Sequence, residues 1–121
     1  MNIIAVFIGG GLGSLMRYLF YMWFHKPDTI IPYGTFIANA TSSLILGGLI
    51  VALSSADKSN FFYLLLATGF CGGFSTFSTF SVENFQLIQN GLWVNLVVNI
   101  LINVFVCLLA VYMGYKIMAS V

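Results

Sequence analysis

The sequence predicts an all-α integral membrane protein with four transmembrane helices. Of its 121 residues, 60% are hydrophobic and only 6% are charged, whereas a soluble domain carries roughly 25% charged residues. Four apolar stretches alternate with short polar segments, and each stretch has the roughly 20 residues that cross a hydrocarbon core as a helix. We therefore expect a multi-pass membrane protein that forms a single transmembrane domain over residues 1–121.

The breaks between the apolar stretches place the four spans. Pro27 and Pro32 act as helix stops after the first stretch, and the polar segment "SSADKSN" follows the second. The first stretch lacks the basic segment that opens a secretory signal, so it is interpreted as a span. The predicted spans cover about residues 3–24, 33–53, 61–89 and 92–118.

The third predicted span is too long for one straight helix and has the segment "GFCGGFSTFSTF" at its centre. Gly72 and Gly73 loosen the backbone there, which predicts a helix that breaks near Gly72–Thr76 and then resumes. Broken backbone at membrane depth is tolerated where protein or a water-filled cavity satisfies its polar groups, and such breaks form ion sites in transporters. The alternative is close glycine packing between helices.

Composition also excludes several classes of protein. A net charge of +1 does not suit a nucleic-acid partner. Cys71 and Cys107 lie in apolar segments without a metal-binding pattern, which indicates two buried thiols. His25 is the only histidine, and no Ser–His–Asp set accompanies it, so we do not expect an enzyme.

Several polar residues lie inside the predicted spans. Arg17 is a functional candidate because a charge in the membrane is costly; the alternatives are snorkelling or bonding to backbone carbonyls. Asn39 either joins helices or faces a permeating ion. Asn99 and Asn103, with Asn95 before them, recur every four residues and form one stripe on the fourth helix. That stripe predicts a polar seam or a pore track.

Phenylalanines and hydroxyls alternate after the glycines. Phe77 and Phe80 are three residues apart, with Phe74 three before, so on a continuous helix the rings share a face. The edge of a phenyl ring is partially positive and can bind an anion weakly, as a channel requires; the alternative is ordinary packing. Glu83 lies either at a pore mouth or at the membrane interface. Hydroxyls surround the rings at Ser75, Ser78, Thr79 and Ser81.

The distribution of lysines specifies orientation weakly. Lys58 and Lys116 fall on the side of the N-terminus, and Lys26 falls on the other side. Because orientation follows the excess of basic residues in short loops, a nearly balanced count favours insertion in both directions, with opposed copies pairing. The alternative is one topology with the N-terminus in the cytoplasm.

Three segments, "GGGLGSLMRY", "PYGTFIANATSS" and "GFCGGFSTFSTFSVEN", resemble the CrcB/Fluc fluoride channels, and the resemblance extends over the whole chain. It implies an antiparallel, dual-topology homodimer among the lipids of the cytoplasmic membrane, with two fluoride pores along the subunit interface. It also implies a structural sodium ion at the dimer centre. Fluoride would leave the cell passively, which protects cytoplasmic enzymes from it.

The resemblance implies roles for individual residues. Phe77 and Phe80 would be the pore phenylalanines, and Asn39 the pore asparagine. Arg17 and Glu83 would lie at the aqueous vestibule and just beyond the pore. The other implied positions are the pore-path side chains Ser78, Thr79, Asn99 and Asn103, and the backbone carbonyls of Gly72 and Ser75 for sodium.

The chain departs from the common family pattern at a few positions. Ser75 replaces the more usual threonine, which leaves a carbonyl ligand intact, and Ser42 stands where glycine is usual. Asn99 and Asn103 replace the frequent tyrosine and serine, and Cys107 continues their stripe. Some family members work as paired homologous subunits, so a heterodimer is the alternative to the homodimer.

Two other functions fit the size of the chain. A four-span, proton-coupled multidrug exporter needs a carboxylate deep in its first span, where this chain has Arg17; Glu83 lies near the end of the third span. A non-transporting assembly subunit would use glycine and asparagine as helix contacts. That role does not require a broken helix or alternating rings and hydroxyls.

Overall fold

The computed structural model describes residues 1–121, and it is entirely helical. The bounds of its helices are α1 Asn2–Phe24, α2 Tyr33–Ala52, α3 in the consecutive pieces Phe61–Tyr63, Leu64–Cys71 and Gly72–Phe74, α4 Phe77–Gln89, and α5 Trp93–Ala119. Four helical segments are long and apolar enough to cross a membrane, namely α1, α2, α5 and the combined segment Tyr63–Gln89. The expected all-α, four-span architecture is confirmed.

Local sequence signals set several helix boundaries. Pro32 precedes α2 in a non-helical conformation. The Asn60 side chain caps α3 by accepting a hydrogen bond of 2.9 Å from the Phe62 amide. Gly91 has a φ of 68° in the short turn between α4 and α5, a conformation that glycine adopts without steric cost. The turn therefore reverses the chain in very few residues.

Helices α1 and α3 approach each other backbone to backbone. A Cβ atom added to Gly9 would collide with the Leu65 carbonyl oxygen, and one added to Gly13 would collide with the Phe70 carbonyl oxygen. On the α3 side, Gly73 meets the backbone of Gly10 in the same way. Small residues allow this close packing in membranes, where helix association depends on van der Waals contact.

Helices α2 and α5 form a second pair of the same kind. An added Cβ on Gly47 would collide with the Val111 carbonyl oxygen, and one on Gly114 would collide with the Leu44 carbonyl oxygen. Contacts between α1 and α2 join the two pairs, and α4 packs on α5 and α2. The first half of the third span thus belongs to one closely packed pair, and its second half packs on the other pair.

The third span is broken as expected, and the break lies at Ser75 and Thr76. Ser75 has φ −76° and ψ 156°, and Thr76 has φ −149° and ψ 117°, so both are extended. Before the break, Leu64–Cys71 is a π-helix, a conformation that is rare and frequent at functional sites. The sequence did not indicate this π-helix.

The expected stripe of three phenyl rings was wrong for Phe74. Because Phe74 lies before the break, it does not share a face with Phe77 and Phe80. Its ring is buried with a centroid 5.0 Å from that of Phe20 and 5.7 Å from that of Phe70. In contrast, Phe77 after the break is 78% exposed.

Candidate functional site

Asn39 on α2 forms two hydrogen bonds with the backbone of Thr76 at the break. The Thr76 amide donates to Asn39 Oδ1 at 2.7 Å, and Asn39 Nδ2 donates to the Thr76 carbonyl at 3.3 Å. In a continuous α-helix the Thr76 amide would donate to the Gly72 carbonyl. Asn39 therefore replaces that helical bond and leaves the Gly72 carbonyl without its helical donor.

Thr76 begins α4 as its N-cap. Its Oγ1 accepts from the Thr79 amide at 3.2 Å and donates to Thr79 Oγ1 at 3.1 Å, and Ser78 Oγ lies 3.2 Å away. A threonine cap satisfies one of the free amides at a helix start. The hydroxyls that alternate with the phenyl rings thus organise the first turn after the break.

The Cys71 carbonyl satisfies the polar groups on the other side of the break. It accepts hydrogen bonds from the Ser75 amide at 3.0 Å, from Ser75 Oγ at 2.9 Å and from Ser42 Oγ at 2.9 Å. Ser42 is the position where the resemblance leads one to expect glycine. Its hydroxyl ties α2 to the end of the π-helix in this chain.

Arg17 points its guanidinium group at the break. Its Nη1 donates to the Ser75 carbonyl at 3.4 Å, and its Nη2 donates to Ser14 Oγ at 3.5 Å. Of the alternatives raised by the sequence, this geometry matches bonding to backbone carbonyls. The half-buried side chain lines a cavity of about 320 Å³ whose other walls are Ser14, Tyr18, Tyr21, Gly34, Thr35, Thr76 and Thr79.

A larger cavity of about 450 Å³ continues from the Arg17 cavity, and the two share the wall residues Tyr21, Gly34, Thr35 and Thr79. His25 and Lys26, at the end of α1, lie on its wall together with Glu83. Polar and charged side chains from α1, α2 and α4 therefore surround one connected opening, which we call the vestibule.

Glu83 lies on the wall of the vestibule, half-buried between α4 and α2. Its Oε1 accepts a short hydrogen bond from Thr35 Oγ1, while its Oε2 is buried without a hydrogen-bond partner. Thr35 is a site residue that the sequence reasoning did not single out. Its spacing of four residues from Asn39 on α2 was the available signal, because such residues share a helix face.

A third cavity, of about 250 Å³, lies beside the phenyl rings. The centroids of Phe77 and Phe80 are 5.8 Å apart with an interplanar angle of 49°. We call this space the phenyl cavity; its walls are Asn39, Ser43, Ser75, Thr76, Phe77, Phe80, Asn103, Val104 and Cys107. The break thus separates the vestibule from the phenyl cavity, and Thr76 contributes to the walls of both sides.

The asparagine stripe on α5 forms a chain of amides. Asn99 Nδ2 donates to Asn84 Oδ1 on α4 at 2.9 Å. Asn103 Nδ2 donates to the Asn99 carbonyl at 2.9 Å and to Asn99 Oδ1 at 3.0 Å. All three side chains are buried. The stripe is therefore a polar seam between α4 and α5, with Asn84 as a partner that sequence reasoning missed.

The structure brings together some of the residues expected along a pore and separates others. Asn39, Phe77, Phe80 and Asn103 meet at the phenyl cavity. Thr79 lines the vestibule instead. Asn99 and Ser78 line neither the phenyl cavity nor the vestibule; their partners are Asn84 and Thr76.

A membrane helix that breaks between a polar vestibule and a cavity lined by phenyl rings and amides is typical of small ion channels and transporters. Comparison with known proteins identifies the family. The family model described as "CrcB-like protein, Camphor Resistance (CrcB)" matches residues 4–115. This chain therefore belongs to the CrcB family.

Relatives named "Fluoride-specific ion channel FluC" match most of the chain. The protein from Campylobacter lari is 41% identical over 118 residues, which covers 96% of each chain. The one from Methanococcus aeolicus is 40% identical over 113 residues, covering 93% of this chain and 91% of the relative. The one from Shewanella frigidimarina is 33% identical over 120 residues, covering 98% and 97%.

Proposed function

We propose that this chain is a fluoride-selective ion channel that exports fluoride passively across the cytoplasmic membrane and so protects the cell from fluoride. Relatives that are named for that activity match this chain over nearly their whole length. The observation that carries the proposal is the phenyl cavity, where two phenyl rings and Asn39 meet at a broken membrane helix. The chain acts as a channel and not as an enzyme.

The residues of the site suit an anion that must bind weakly and leave quickly. Arg17 supplies a positive charge to the vestibule beside the break. Further along, Phe77 and Phe80 offer partially positive ring edges instead of full charges. Asn39 uses one of its two N–H groups to hold Thr76 and retains the other as a donor. An anion thus passes from a charged vestibule to a weakly polar cavity, which favours conduction over trapping.

The pore requires a second subunit, in our proposal an antiparallel copy of the same chain. Phe77 is 78% exposed, and Gly72 also lies on the surface of the chain. The phenyl cavity therefore has walls on one side only. A second copy in the opposite orientation closes it and, by symmetry, forms a second pore, and the balanced lysines allow both orientations. The alternative is a paired homologous subunit.

A sodium ion at the dimer centre is compatible with the donor atoms at the break. The chain has no group of three or more His, Cys, Asp or Glu side chains that could hold a metal, and backbone oxygens are the ligands in our proposal. Gly72 offers a carbonyl freed from its helical donor, and Ser75 offers one that also accepts a long bond from Arg17. Several carbonyl oxygens suit a hard cation. The bound ion would add positive charge to the anion path.

Reconstitution of the purified chain alone tests both the activity and the oligomeric state. Liposomes loaded with potassium fluoride are diluted into fluoride-free buffer with valinomycin, and efflux is followed with a fluoride electrode. We expect fast loss of fluoride and no loss of chloride from matched liposomes. A well-folded chain that releases no fluoride alone, but does so with a co-expressed homologue, would identify a heterodimer. No flux in either case would contradict the channel function.

Replacement of the rings tests the route of the anion. Phe77→Ile and Phe80→Ile remove the ring edges but keep apolar bulk, so we expect a folded protein with greatly slowed fluoride efflux. Phe85→Ile is the matched control, because Phe85 is an exposed phenylalanine on the same helix that does not line the phenyl cavity. Unchanged efflux in the Phe77→Ile, Phe80→Ile double variant would exclude the rings from the path.

A further inference from the structure

Three hydroxyl side chains line the phenyl cavity, and two of them are engaged within the subunit. Ser75 Oγ donates to the Cys71 carbonyl at 2.9 Å. Thr76 Oγ1 donates to Thr79 Oγ1 at 3.1 Å. Because a hydroxyl has a single proton to donate, neither has one left for another partner. The third hydroxyl belongs to Ser43 on α2.

The Ser43 hydroxyl is free. It makes no hydrogen bond within the subunit, although a serine in a helix can donate to the carbonyl four residues before it, as Ser81 does to Phe77 at 2.9 Å. The buried side-chain atoms without a hydrogen-bond partner belong to Glu83 and Asn103 alone, so Ser43 Oγ is accessible. The half-buried residue therefore presents an unpaired donor at the phenyl cavity.

Ser43 and Asn39 lie on the same face of α2. They are four residues apart, which places their Cβ atoms roughly 5–6 Å from each other on a helix. Asn39 retains one N–H group that does not hold Thr76. A small anion beside this face of α2 can therefore accept one hydrogen bond from an amide and one from a hydroxyl, next to the rings of Phe77 and Phe80.

A hydroxyl donor supplies what the rings lack. An anion that enters the cavity gives up hydrogen bonds from water, and a ring edge carries only a partial positive charge. A hydrogen bond from a hydroxyl to an ion is roughly twice as strong as one between neutral groups. The donor itself stays uncharged, so it replaces a lost water contact without trapping the ion.

We propose that Ser43 donates a hydrogen bond to fluoride in the phenyl cavity and is a second donor one helical turn beyond Asn39. When no anion is present, its hydroxyl can turn to the Asn39 carbonyl, which spares the empty site an unpaired donor. The contact with fluoride rests on the proposed channel function, whereas the free orientation of the hydroxyl does not.

A crystal structure tests the open site without any transport. Crystals of the full-length protein grown in sodium fluoride should show a bound species of solvent size about 2.5 to 3.0 Å from Ser43 Oγ. Fluoride and water scatter X-rays alike, so the crystal reports the open site and flux reports the ion. A Ser43 hydroxyl bonded only to protein groups of either subunit, with no such species beside it, would overturn the proposal.

Flux measurements on Ser43 variants test the contact with fluoride. Ser43→Ala removes only the hydroxyl, and we expect efflux from liposomes to fall about tenfold. Loss of one fixed donor to an oxyanion slows an enzyme by roughly 10²–10³, and a hydroxyl that rotates contributes less. Ser43→Thr and Ser43→Val have the same size, but only threonine keeps the donor, so the threonine variant should conduct much faster. Equal efflux from these two variants would contradict the proposal.

Thr41 provides a matched control on the same helix. Its hydroxyl also has no hydrogen-bond partner within the subunit, but it lines neither the vestibule nor the phenyl cavity. At two residues from both Asn39 and Ser43, it lies on another face of α2. Thr41→Val removes that hydroxyl and should conduct like the wild type. Equal slowing in Thr41→Val and Ser43→Ala would mean that Ser43 is not a ligand.

The two proposals fail in distinguishable ways. If the wild-type chain releases no fluoride, either alone or with a homologue, the channel function is wrong and the contact between Ser43 and fluoride falls with it. If the wild type conducts and Ser43→Ala conducts equally well per folded protein, the channel function stands and this inference is wrong. If Ser43→Ala does not fold, the comparison of Ser43→Thr with Ser43→Val, together with the crystal structure, decides the question.

Discussion

The two halves of the third span contrast sharply in what they contact. Both halves contain phenylalanine, small residues and hydroxyls. The half before the break, α3, packs closely on α1 and includes the buried Phe74. The half after it, α4, exposes Phe77 and lines cavities with its polar side chains. The break at Ser75 and Thr76 separates a packing segment from a segment that faces the proposed anion path.

This contrast teaches that residue type alone does not assign a role here. Gly73 and Gly69 meet the backbone of α1, as expected for glycine packing, whereas an atom added to Gly72 would meet nothing within 4 Å. Glycine packing therefore accounts for Gly69 and Gly73, whereas Gly72 packs against nothing within the subunit. Neighbouring glycines differ in their contacts because they lie on different faces of α3: of Gly72 and Gly73, only Gly73 faces α1.

The largest expected effect is a difference in stability between alanine substitutions at the neighbouring positions Gly72 and Gly73. A Cβ on Gly73 would collide with the Gly10 carbonyl oxygen, and forced overpacking destabilises a core by about 1 to 3 kcal/mol or more. We expect Gly73→Ala to lower the thermal unfolding midpoint of the detergent-solubilised subunit severely. Gly72→Ala is the matched control in the separated subunit, where an added Cβ meets nothing within 4 Å and alanine in a helix is favourable by about 1 kcal/mol relative to glycine. Equal losses in both variants would refute the difference between the two faces.

Asn39→Asp should preserve the break between the two halves of the span and block the passage of fluoride. The aspartate keeps an oxygen that can accept from the Thr76 amide, which makes the shorter of the two bonds, and it loses the donor to the Thr76 carbonyl. Its negative charge, however, opposes an anion about 4 Å away by about 4 kcal/mol at an effective dielectric constant near 20. We expect fluoride efflux from liposomes to fall by orders of magnitude while the protein stays monodisperse.

Asn60→Asp controls for an added charge, because Asn60 caps α3 away from the break and aspartate is also a good cap. It should conduct like the wild type. Conduction by Asn39→Asp at the wild-type rate would mean that fluoride does not pass near Asn39.

The sequence predicted the break but not the geometry on either side of it. An apolar segment of almost 30 residues with paired glycines at its centre cannot remain one plain helix across a membrane. The stripe expected for Phe74, Phe77 and Phe80 failed because spacing rules assume an uninterrupted helix. The π-helix at Leu64–Cys71 lies before all three rings, and no local residue pattern marked it.

The partners of the polar residues were also beyond sequence reasoning. Asn39 and Thr76 are 37 positions apart, and only the packing of α2 against the break brings them together. Asn84 was overlooked for the same reason, since the register of α4 on α5 decides that Asn99 meets it. A stripe of asparagines therefore predicted polar contact correctly, but it did not indicate which amide would end at the cavity.

Thr76 offers the smallest and most local test of the boundary between the two halves. Thr76→Val keeps the shape of the side chain but removes the oxygen that caps the Thr79 amide, and loss of a cap costs about 1 kcal/mol. Thr76→Ser keeps that oxygen and removes a methyl group instead. If the cap defines where α4 begins, Thr76→Val should lower the unfolding midpoint more than Thr76→Ser does. The reverse order would mean that the buried methyl group, and not the hydrogen bond, holds the second half of the span in place.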